Sequence, residues 1–163
     1  VRVEPWIYTH KFPINTFRHF DDPLGHALEP NSDLIRLVLE KRLSPRWTIR
    51  VESRRSRHGE NEVLDDGNLR NVGGDIHYGW RPGDERMSKK FLDGLVQKCT
   101  ELEARVRWVV AGSLGIDLGF AKTWGKDVYW PPNWGASVPR HRRTGIGSGV
   151  QEELFLDVRY RRF

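Results

Sequence analysis

The sequence contains one cysteine, one methionine and no long apolar run. The single cysteine, Cys99, excludes a disulfide within the chain and is compatible with almost any compartment. A membrane-spanning helix needs about 20 consecutive apolar residues, and no stretch of this chain approaches that length. Strands are therefore the only elements that could span a membrane. The chain begins at Val1 without a charged and then apolar leader, so we interpret it as a mature product or an excised piece of a longer protein.

Charge of both signs is abundant. Hydrophobic residues make up 37% of the 163 positions and charged residues 30%, which is lean but sufficient for one domain. The net charge of +5 and the pI near 9.6 would suit a nucleic-acid partner. The arginines, however, alternate with acidic residues instead of forming one basic block, so no nucleic-acid partner is expected. The basic run at residues 140–143 lies in a Gly-rich stretch, and we interpret it as a solvated loop.

Residues 34–54, LIRLVLEKRLSPRWTIRVESR, carry the main structural signal. In both halves apolar side chains recur at nearly every second position opposite mainly charged ones, which is the period of a β-strand. Ser44-Pro45-Arg46 joins the halves, and proline suits the second position of a tight turn. The stretch is predicted to form a hairpin with one charged and one apolar face. The apolar face comprises Ile35, Leu37, Leu39, Leu43, Trp47, Ile49 and Val51.

The same alternation predicts further strands, which bring the total to about six long strands. They cover residues 1–10, 98–110, 116–124 and 153–163. The connections between strands alternate in length: long at 11–33, short at 44–46, long at 55–93, short at 111–115 and long at 125–150. A helical turn is expected near residues 85–91. Long loops on one side and short turns on the other are typical of bacterial outer-membrane barrels.

The fold depends on which face of the strands meets water. In a soluble sheet the apolar face packs a core, whereas in an outer-membrane barrel it contacts lipid and the charged face lines the lumen. Trp47, Trp108, Trp124 and Tyr160 fall on the apolar side near strand ends, where an interfacial girdle would place them. We therefore predict an all-β fold, an antiparallel transmembrane β-barrel fragment, with residues 1–163 as a single barrel segment. Since about eight strands are the usual minimum for closure, the segment would be part of a larger barrel.

The charged faces of the predicted strands carry both signs along almost every strand. Such side chains could line an open pore. A mutually neutralising network that plugs the interior is the better prediction, because opposite charges on neighbouring strands pair across the sheet.

Residues 6–33, WIYTHKFPINTFRHFDDPLGHALEPNSD, precede the hairpin directly and resemble the Wzi-like capsule assembly proteins of bacterial outer membranes. In that family a comparable aromatic segment and an LGH-then-NSD stretch precede barrel strands in the C-terminal half. The later RHGEN and NVGGD are similar to loops of the same relatives. The resemblance implies a barrel of about 18 strands in a Gram-negative outer membrane, of which this chain would be the C-terminal third.

The resemblance also implies a function. It suggests a non-catalytic role in attaching or exporting surface polysaccharide, with capsular polysaccharide and outer-membrane lipid as partners and a monomeric barrel as the assembly. Sugars stack on aromatic faces and bond to Arg, Asn and Asp side chains held on rigid loops. The alternative is that these loop aromatics only pack the loops together. The candidate polysaccharide-binding residues are Tyr8, His10, Arg18, His26, His77, Tyr78, Trp80, Arg81, Trp130 and Trp134.

No metal site and no cofactor are expected from local sequence patterns. The histidines of residues 10–26 match no metal-site spacing, and the acidic stretch 65–75 does not fit the twelve-residue calcium loop. A hydrolase could use His58, Glu60 and Asp75, yet no GxSxG signal accompanies them. A protein that is not an enzyme is therefore predicted. The alternatives are a soluble β-sandwich carbohydrate-binding module and an outer-membrane barrel hydrolase.

Overall fold

The computed structural model describes residues 1–9, 18–19, 22–84, 90–112, 114–130 and 144–160. Within these ranges the protein is all-β, with strands and turns and no helix. Accordingly, no helix long and apolar enough to cross a membrane occurs among the described residues.

Five long strands and five two-residue strands make up the described secondary structure. The long strands are β4 (Ser32–Ser44), β5 (Trp47–Glu60), β8 (Leu95–Ala111), β9 (Leu114–Trp130) and β10 (Thr144–Tyr160). The short strands are β1 (Arg2–Val3), β2 (Arg18–His19), β3 (Asp22–Pro23), β6 (Glu62–Val63) and β7 (Leu69–Arg70).

A mostly antiparallel sheet of six strands, in the order β1-β4-β5-β8-β9-β10, dominates the fold. Strand β1 pairs with β4 in the register Arg2 to Asp33 and Val3 to Ser32. Two small antiparallel pairs, β2 with β3 and β6 with β7, complete the strand pairing described here. The prediction of an all-β, largely antiparallel sheet of six strands is confirmed. Across the described residues the sheet is not closed.

The first predicted strand was wrong in length. Of residues 1–9, which the structure describes, only Arg2–Val3 pair in the sheet, instead of the predicted residues 1–10. Pro5 has no N–H to donate to a ladder, and both Trp6 and Tyr8 take a left-handed backbone, with φ of 67° and 66°. The chain therefore leaves the sheet at this point and turns.

Two predicted long connections were also wrong at their ends. Strand β5 runs to Glu60, so this connection begins later than predicted, while most of its described residues lie outside strands, as expected, apart from the β6–β7 pair. Strand β9 runs to Trp130 and β10 begins at Thr144, so much of 125–150 is strand in spite of its glycines. Backbone pairing needs no side-chain alternation, which is why the sequence pattern stops before the strands do. Most of the predicted helical turn near 85–91 lies outside the described residues.

The chain divides into two compact units. The first, called the loop unit below, comprises Val1–Leu34, Ser56–Cys99 and Gly125–Ser148. The second, called the sheet unit, comprises Ile35–Arg55, Thr100–Trp124 and Gly149–Phe163.

The loop unit has a small interior in which polar side chains accompany the apolar ones. Its buried apolar residues include Val3, Trp6, Leu28, Val72 and Ile76. Asn31 and Asp75 are both 0% exposed. Buried polar groups are tolerated only when they are hydrogen-bonded, so their bonds define how these loops are held.

The sheet unit has the opposite arrangement from a water-soluble sheet. On its apolar face Leu37, Leu118 and Leu156 are 59%, 56% and 65% exposed. The acidic side chains of Glu52 and Asp117 are only 4% and 1% exposed. Charged groups are covered and large apolar groups are uncovered, which reverses the usual preference of the two residue classes.

Candidate functional site

Glu52 is the centre of an ion-pair network on the charged side of the sheet unit. Arg36 donates two parallel hydrogen bonds to its carboxylate, at 2.6 Å and 2.8 Å. Arg50 and Arg54 donate at 2.8 Å and 2.6 Å, and Arg54 also lies 3.4 Å from Glu101. One buried carboxylate thus holds three guanidinium groups, in the short, charge-assisted geometry that Arg and carboxylate favour.

Asp117 forms a second centre on strand β9. Arg107 donates to its two oxygens at 2.8 Å and 3.2 Å, and the Arg159 side chain lies 3.4 Å from it. Arg159 also donates to Asp157 at 2.6 Å. The carboxylates and guanidinium groups on this side therefore pair with each other, as expected for a neutralising network.

Aromatic side chains mark both ends of the apolar face of the sheet unit. Trp47, which follows the tight turn after β4, stacks on Trp108 with ring centroids 5.4 Å apart and planes at 7°. Further along β9, the Lys122 ammonium lies 5.4 Å from the Trp124 ring and 2.6 Å from the carboxylate of Glu152. These groups combine an apolar body with a polar tip, which is the character of side chains at a boundary between water and an apolar phase.

Asn31 ties three segments of the loop unit together. Its amide group donates to the carbonyl oxygens of Gly59 and Asp93 at 2.8 Å and 3.1 Å. Its side-chain oxygen accepts from the Leu92 N–H at 2.7 Å. The residue itself has φ of 58°, a left-handed conformation that asparagine tolerates better than most residues. One side chain therefore fixes the residues preceding β4 against the end of β5 and against the residues preceding β8.

The segments RHGEN (57–61) and NVGGD (71–75) lie side by side in the loop unit. The Asn61 side-chain oxygen accepts from the N–H groups of Val72 and Gly74, at 2.9 Å and 3.4 Å. A Cβ at Gly74 would overlap the Gly59 carbonyl oxygen, so the backbones approach too closely for any larger residue. The two motifs thus hold their two loop segments together through hydrogen bonds and close backbone packing.

Two of the candidate polysaccharide-binding residues, Tyr8 and His26, lie together. The Tyr8 hydroxyl accepts from the His26 N–H at 3.0 Å, and the ring lies against Gly25. The His26 Nδ1 accepts from the Leu28 N–H at 3.0 Å. Both side chains therefore shape the loop that precedes β4.

The candidates His77, Tyr78, Trp80 and Arg81 share one loop. Asp75 Oδ1 lies 2.9 Å from His77 Nδ1 and accepts from the His77 N–H at 2.8 Å. At the other end, Asp84 accepts from the Arg81 N–H at 2.7 Å, while Trp80 donates to the Asp84 carbonyl at 3.4 Å. Tyr78 is 45% exposed and available at the surface.

Of the remaining four candidates, two are located by the strand that contains them. Arg18 lies in β2 and Trp130 ends β9. His10 and Trp134 fall outside the described residues.

A cleft of about 290 Å³ lies in the loop unit beside these candidates. Its lining mixes an aromatic ring, basic side chains, acidic side chains and an amide, the same chemistry expected of a sugar site. None of the six candidates whose side chains the structure describes (Tyr8, His26, His77, Tyr78, Trp80 and Arg81) belongs to the described lining. The sequence offered a signal for Trp6, within the aromatic segment before the hairpin, and for Asn71 and Val72, within NVGGD. The lining residues are Pro5, Trp6, Leu64, Leu69, Arg70, Asn71, Val72, Gly83, Asp84, Lys90 and Asp93.

Arg70 and Asp93 form the charged pair of this cleft, with Arg70 Nη2 donating to Asp93 Oδ2 at 2.7 Å. Burial raises the pKa of Asp93, but hydrogen bonds from the Gly94 N–H and from Arg70 outweigh it, so the pKa lies below its usual value. The hydrogen bond that Arg70 donates to Asp93 raises the pKa of Arg70. The pair is therefore charged at neutral pH.

We expect Asp93 to make the loop unit sensitive to acid. Because its folded pKa is depressed, its stabilising contribution is fully present above the unfolded pKa of about 3.9 and is lost as the pH falls through the folded pKa. In Asp93→Asn, the free energy of unfolding of the loop unit should depend less on pH below about pH 4. Asp65→Asn, at an exposed position of a nearby loop, is the control. Hydrogen exchange of loop-unit amides across this pH range measures the effect, and equal acid sensitivity of both variants would contradict it.

Comparison of the chain with protein-family models, with curated proteins and with solved structures found no match.

Proposed function

We propose that this chain is a segment of a transmembrane β-barrel of a Gram-negative outer membrane, and that the apolar face of its sheet unit contacts lipid. One observation carries the proposal: large apolar side chains are uncovered while Glu52 and Asp117 are covered. Exposing that much apolar surface to water is unfavourable by about 25 cal/mol per Å². In a bilayer the same surface is stable, and the ion-pair network faces inward.

Strand length and aromatic placement support the same environment. A tilted strand crosses the hydrocarbon core with about 9–11 residues. Strands β8, β9 and β10 have 17 residues each, which is enough to cross and to extend beyond it. Trp47 and Trp108 stand near the tight turns, whereas Trp124 lies about ten residues, or about 33 Å, along β9. Aromatic residues near both ends of the strands suit the two interfaces of a membrane.

We further propose that the protein is not an enzyme and acts in capsule assembly by attaching or exporting surface polysaccharide. The resemblance of residues 6–33 and of RHGEN and NVGGD to Wzi-like proteins suggests this role. The cleft of the loop unit supports it, because Arg70, Lys90 and Asp93 provide charged groups with which sugar hydroxyls form hydrogen bonds. The soluble β-sandwich alternative would need a second layer over the apolar face, and the described residues leave that face exposed.

Spin labels on the intact protein in bilayers test both parts of the proposal. In a Cys99→Ser background, labels at Leu37→Cys and Leu118→Cys should collide readily with oxygen and rarely with a water-soluble nickel chelate. A label at Val63→Cys, which is 71% exposed in the loop unit, should show the reverse. If all three labels were equally accessible to the chelate, lipid contact would be excluded.

A label at Leu64→Cys, which lines the cleft, reports on the glycan role. Purified capsular polysaccharide should slow its motion, while neutral dextran should not. The label at Val63→Cys, outside the lining, should respond to neither. Unchanged motion at Leu64 would count against polysaccharide binding in this cleft, independently of the result for lipid contact.

A further inference from the structure

Glu29, His58 and Glu60 form a compact cluster in the loop unit. Glu29 lies just before β4, while His58 and Glu60 lie at the end of β5. One ligand atom from each, two carboxylate oxygens and an imidazole nitrogen, lie within 4.8 Å of one another. His58 and Glu60 are only 7% and 3% exposed. The cluster therefore gathers three potential metal ligands at a largely buried point.

A contact between Ser32 and the His58 Nδ1 atom fixes the orientation of the His58 ring. The Ser32 hydroxyl lies 2.8 Å from His58 Nδ1, so the opposite nitrogen, Nε2, faces the two carboxylates. Hydrogen bonding of the distal ring nitrogen is the usual way in which a metal-binding histidine is oriented. Ser32 is itself 2% exposed and cannot easily be replaced in this contact by water.

The separations within the cluster suit ligands of a common cation. His58 Nε2 lies 3.4 Å from Glu29 Oε2 and 3.6 Å from Glu60 Oε2. Direct N–H···O hydrogen bonds are usually about 2.7–3.2 Å. Two ligand atoms bound at about 2.1 Å to one tetrahedral metal ion are separated by about 3.4 Å. The two separations from His58 Nε2 to the carboxylate oxygens are therefore close to the edge of such a tetrahedron.

The net charge of the cluster also suits a bound metal ion. With both carboxylates ionised, the three side chains sum to −2 with a neutral imidazole and to −1 with a protonated one. A divalent cation bound between these side chains would neutralise much of that charge. The Glu29 side chain is 29% exposed, which provides a route by which an ion could enter.

We propose that Glu29, His58 and Glu60 bind a divalent transition metal such as Zn²⁺, with Ser32 as the positioning residue for His58. One imidazole and two carboxylates suit this class of ion and leave a fourth coordination position for water. The ion would fasten the segment preceding β4 to the end of β5, so binding would stabilise the loop unit. This site is separate from the cleft and does not depend on the proposed function.

Titration of the intact, chelator-treated protein with Zn²⁺ tests the site, with calorimetry giving the affinity and Co²⁺ absorption giving the geometry. Wild type should bind one Zn²⁺ in the micromolar range or tighter, and Co²⁺ should show the intense visible bands of a tetrahedral complex. His58→Ala should weaken Zn²⁺ binding at least about 100-fold, and Ser32→Ala about 10–100-fold. Because His58→Ala could impair folding, the nearly isosteric Glu60→Gln provides a second variant, with the same direction expected.

His77→Ala is the matched control, since His77 also lies beside a carboxylate but outside the cluster. It should leave Zn²⁺ affinity unchanged. Wild-type binding no tighter than that of His58→Ala would overturn the proposal, as would equal loss in His77→Ala. Labelling of Ser32 by a fluorophosphonate, blocked in His58→Ala and unaffected by Zn²⁺, would also overturn it and would assign the cluster to a serine hydrolase.

Discussion

Leu118→Arg is expected to destabilise the protein in a bilayer by about 2–4 kcal/mol, the cost of an Arg side chain near the midplane of a barrel's lipid face. Leu118 is 56% exposed on β9, between the aromatic and charged groups that mark the two ends of the apolar face. In water the same substitution would replace an exposed apolar side chain by a charged one and cost almost nothing. The sign and size of the effect therefore identify the medium that surrounds this face.

Val63→Arg is the control for Leu118→Arg, because Val63 is 71% exposed but lies in the loop unit. It should change stability by less than about 0.5 kcal/mol. Equilibrium unfolding of the intact protein in lipid vesicles, followed by intrinsic tryptophan fluorescence, measures both variants. Equal, small effects would argue against a lipid-facing role for the sheet unit.

Asn31→Ala is expected to lower the free energy of opening of the loop unit by about 3–5 kcal/mol. It removes the partners of three backbone groups, the carbonyls of Gly59 and Asp93 and the N–H of Leu92, and each unsatisfied buried group costs about 1–3 kcal/mol. Alanine is also less suited than asparagine to the φ of 58° at this position. The amide of Leu92 should therefore exchange its hydrogen at least about 100-fold faster, since about 1.4 kcal/mol corresponds to a factor of ten.

Asn68→Ala provides the matched control for Asn31→Ala. Asn68 is exposed, and its side chain donates to Asp66 at 2.8 Å without reaching another segment. Its loss should leave the exchange of Leu92 unchanged. If both substitutions left Leu92 equally protected, the side chain of Asn31 would not be what holds the loops together.

Residues 34–54 show how much of the fold the sequence predicts. Alternation placed the strands of this hairpin within two residues of their observed ends at the turn, with β4 ending at Ser44 and β5 beginning at Trp47. It also separated the residues that are now seen as exposed and apolar from those that form ion pairs. Such a pattern is local, because neighbouring side chains of a strand point to opposite faces whatever lies around them.

The loop unit shows where local patterns fail. The contacts that build it join residues far apart in sequence, such as Asn31 with Asp93 and Arg70 with Asp93. The candidate residues were chosen because aromatic and basic types stood close together in sequence, whereas the cleft lining was collected from four segments of the chain. The cluster of Glu29, His58 and Glu60 was missed for the same reason, since metal-site patterns in sequences depend on short spacings.

By itself, the sequence determined that the chain is all-β, that its strands have one apolar and one charged face, and where two tight turns lie. Only the tertiary structure decided which face is covered, since an alternating strand is equally compatible with a core inside or an apolar surface outside. It also decided which loop residues meet, because those contacts depend on how the strands carry distant segments to the same place. The physical reason is that strand periodicity is set by the backbone of each residue, whereas burial and loop contacts are set by what the rest of the chain places beside it.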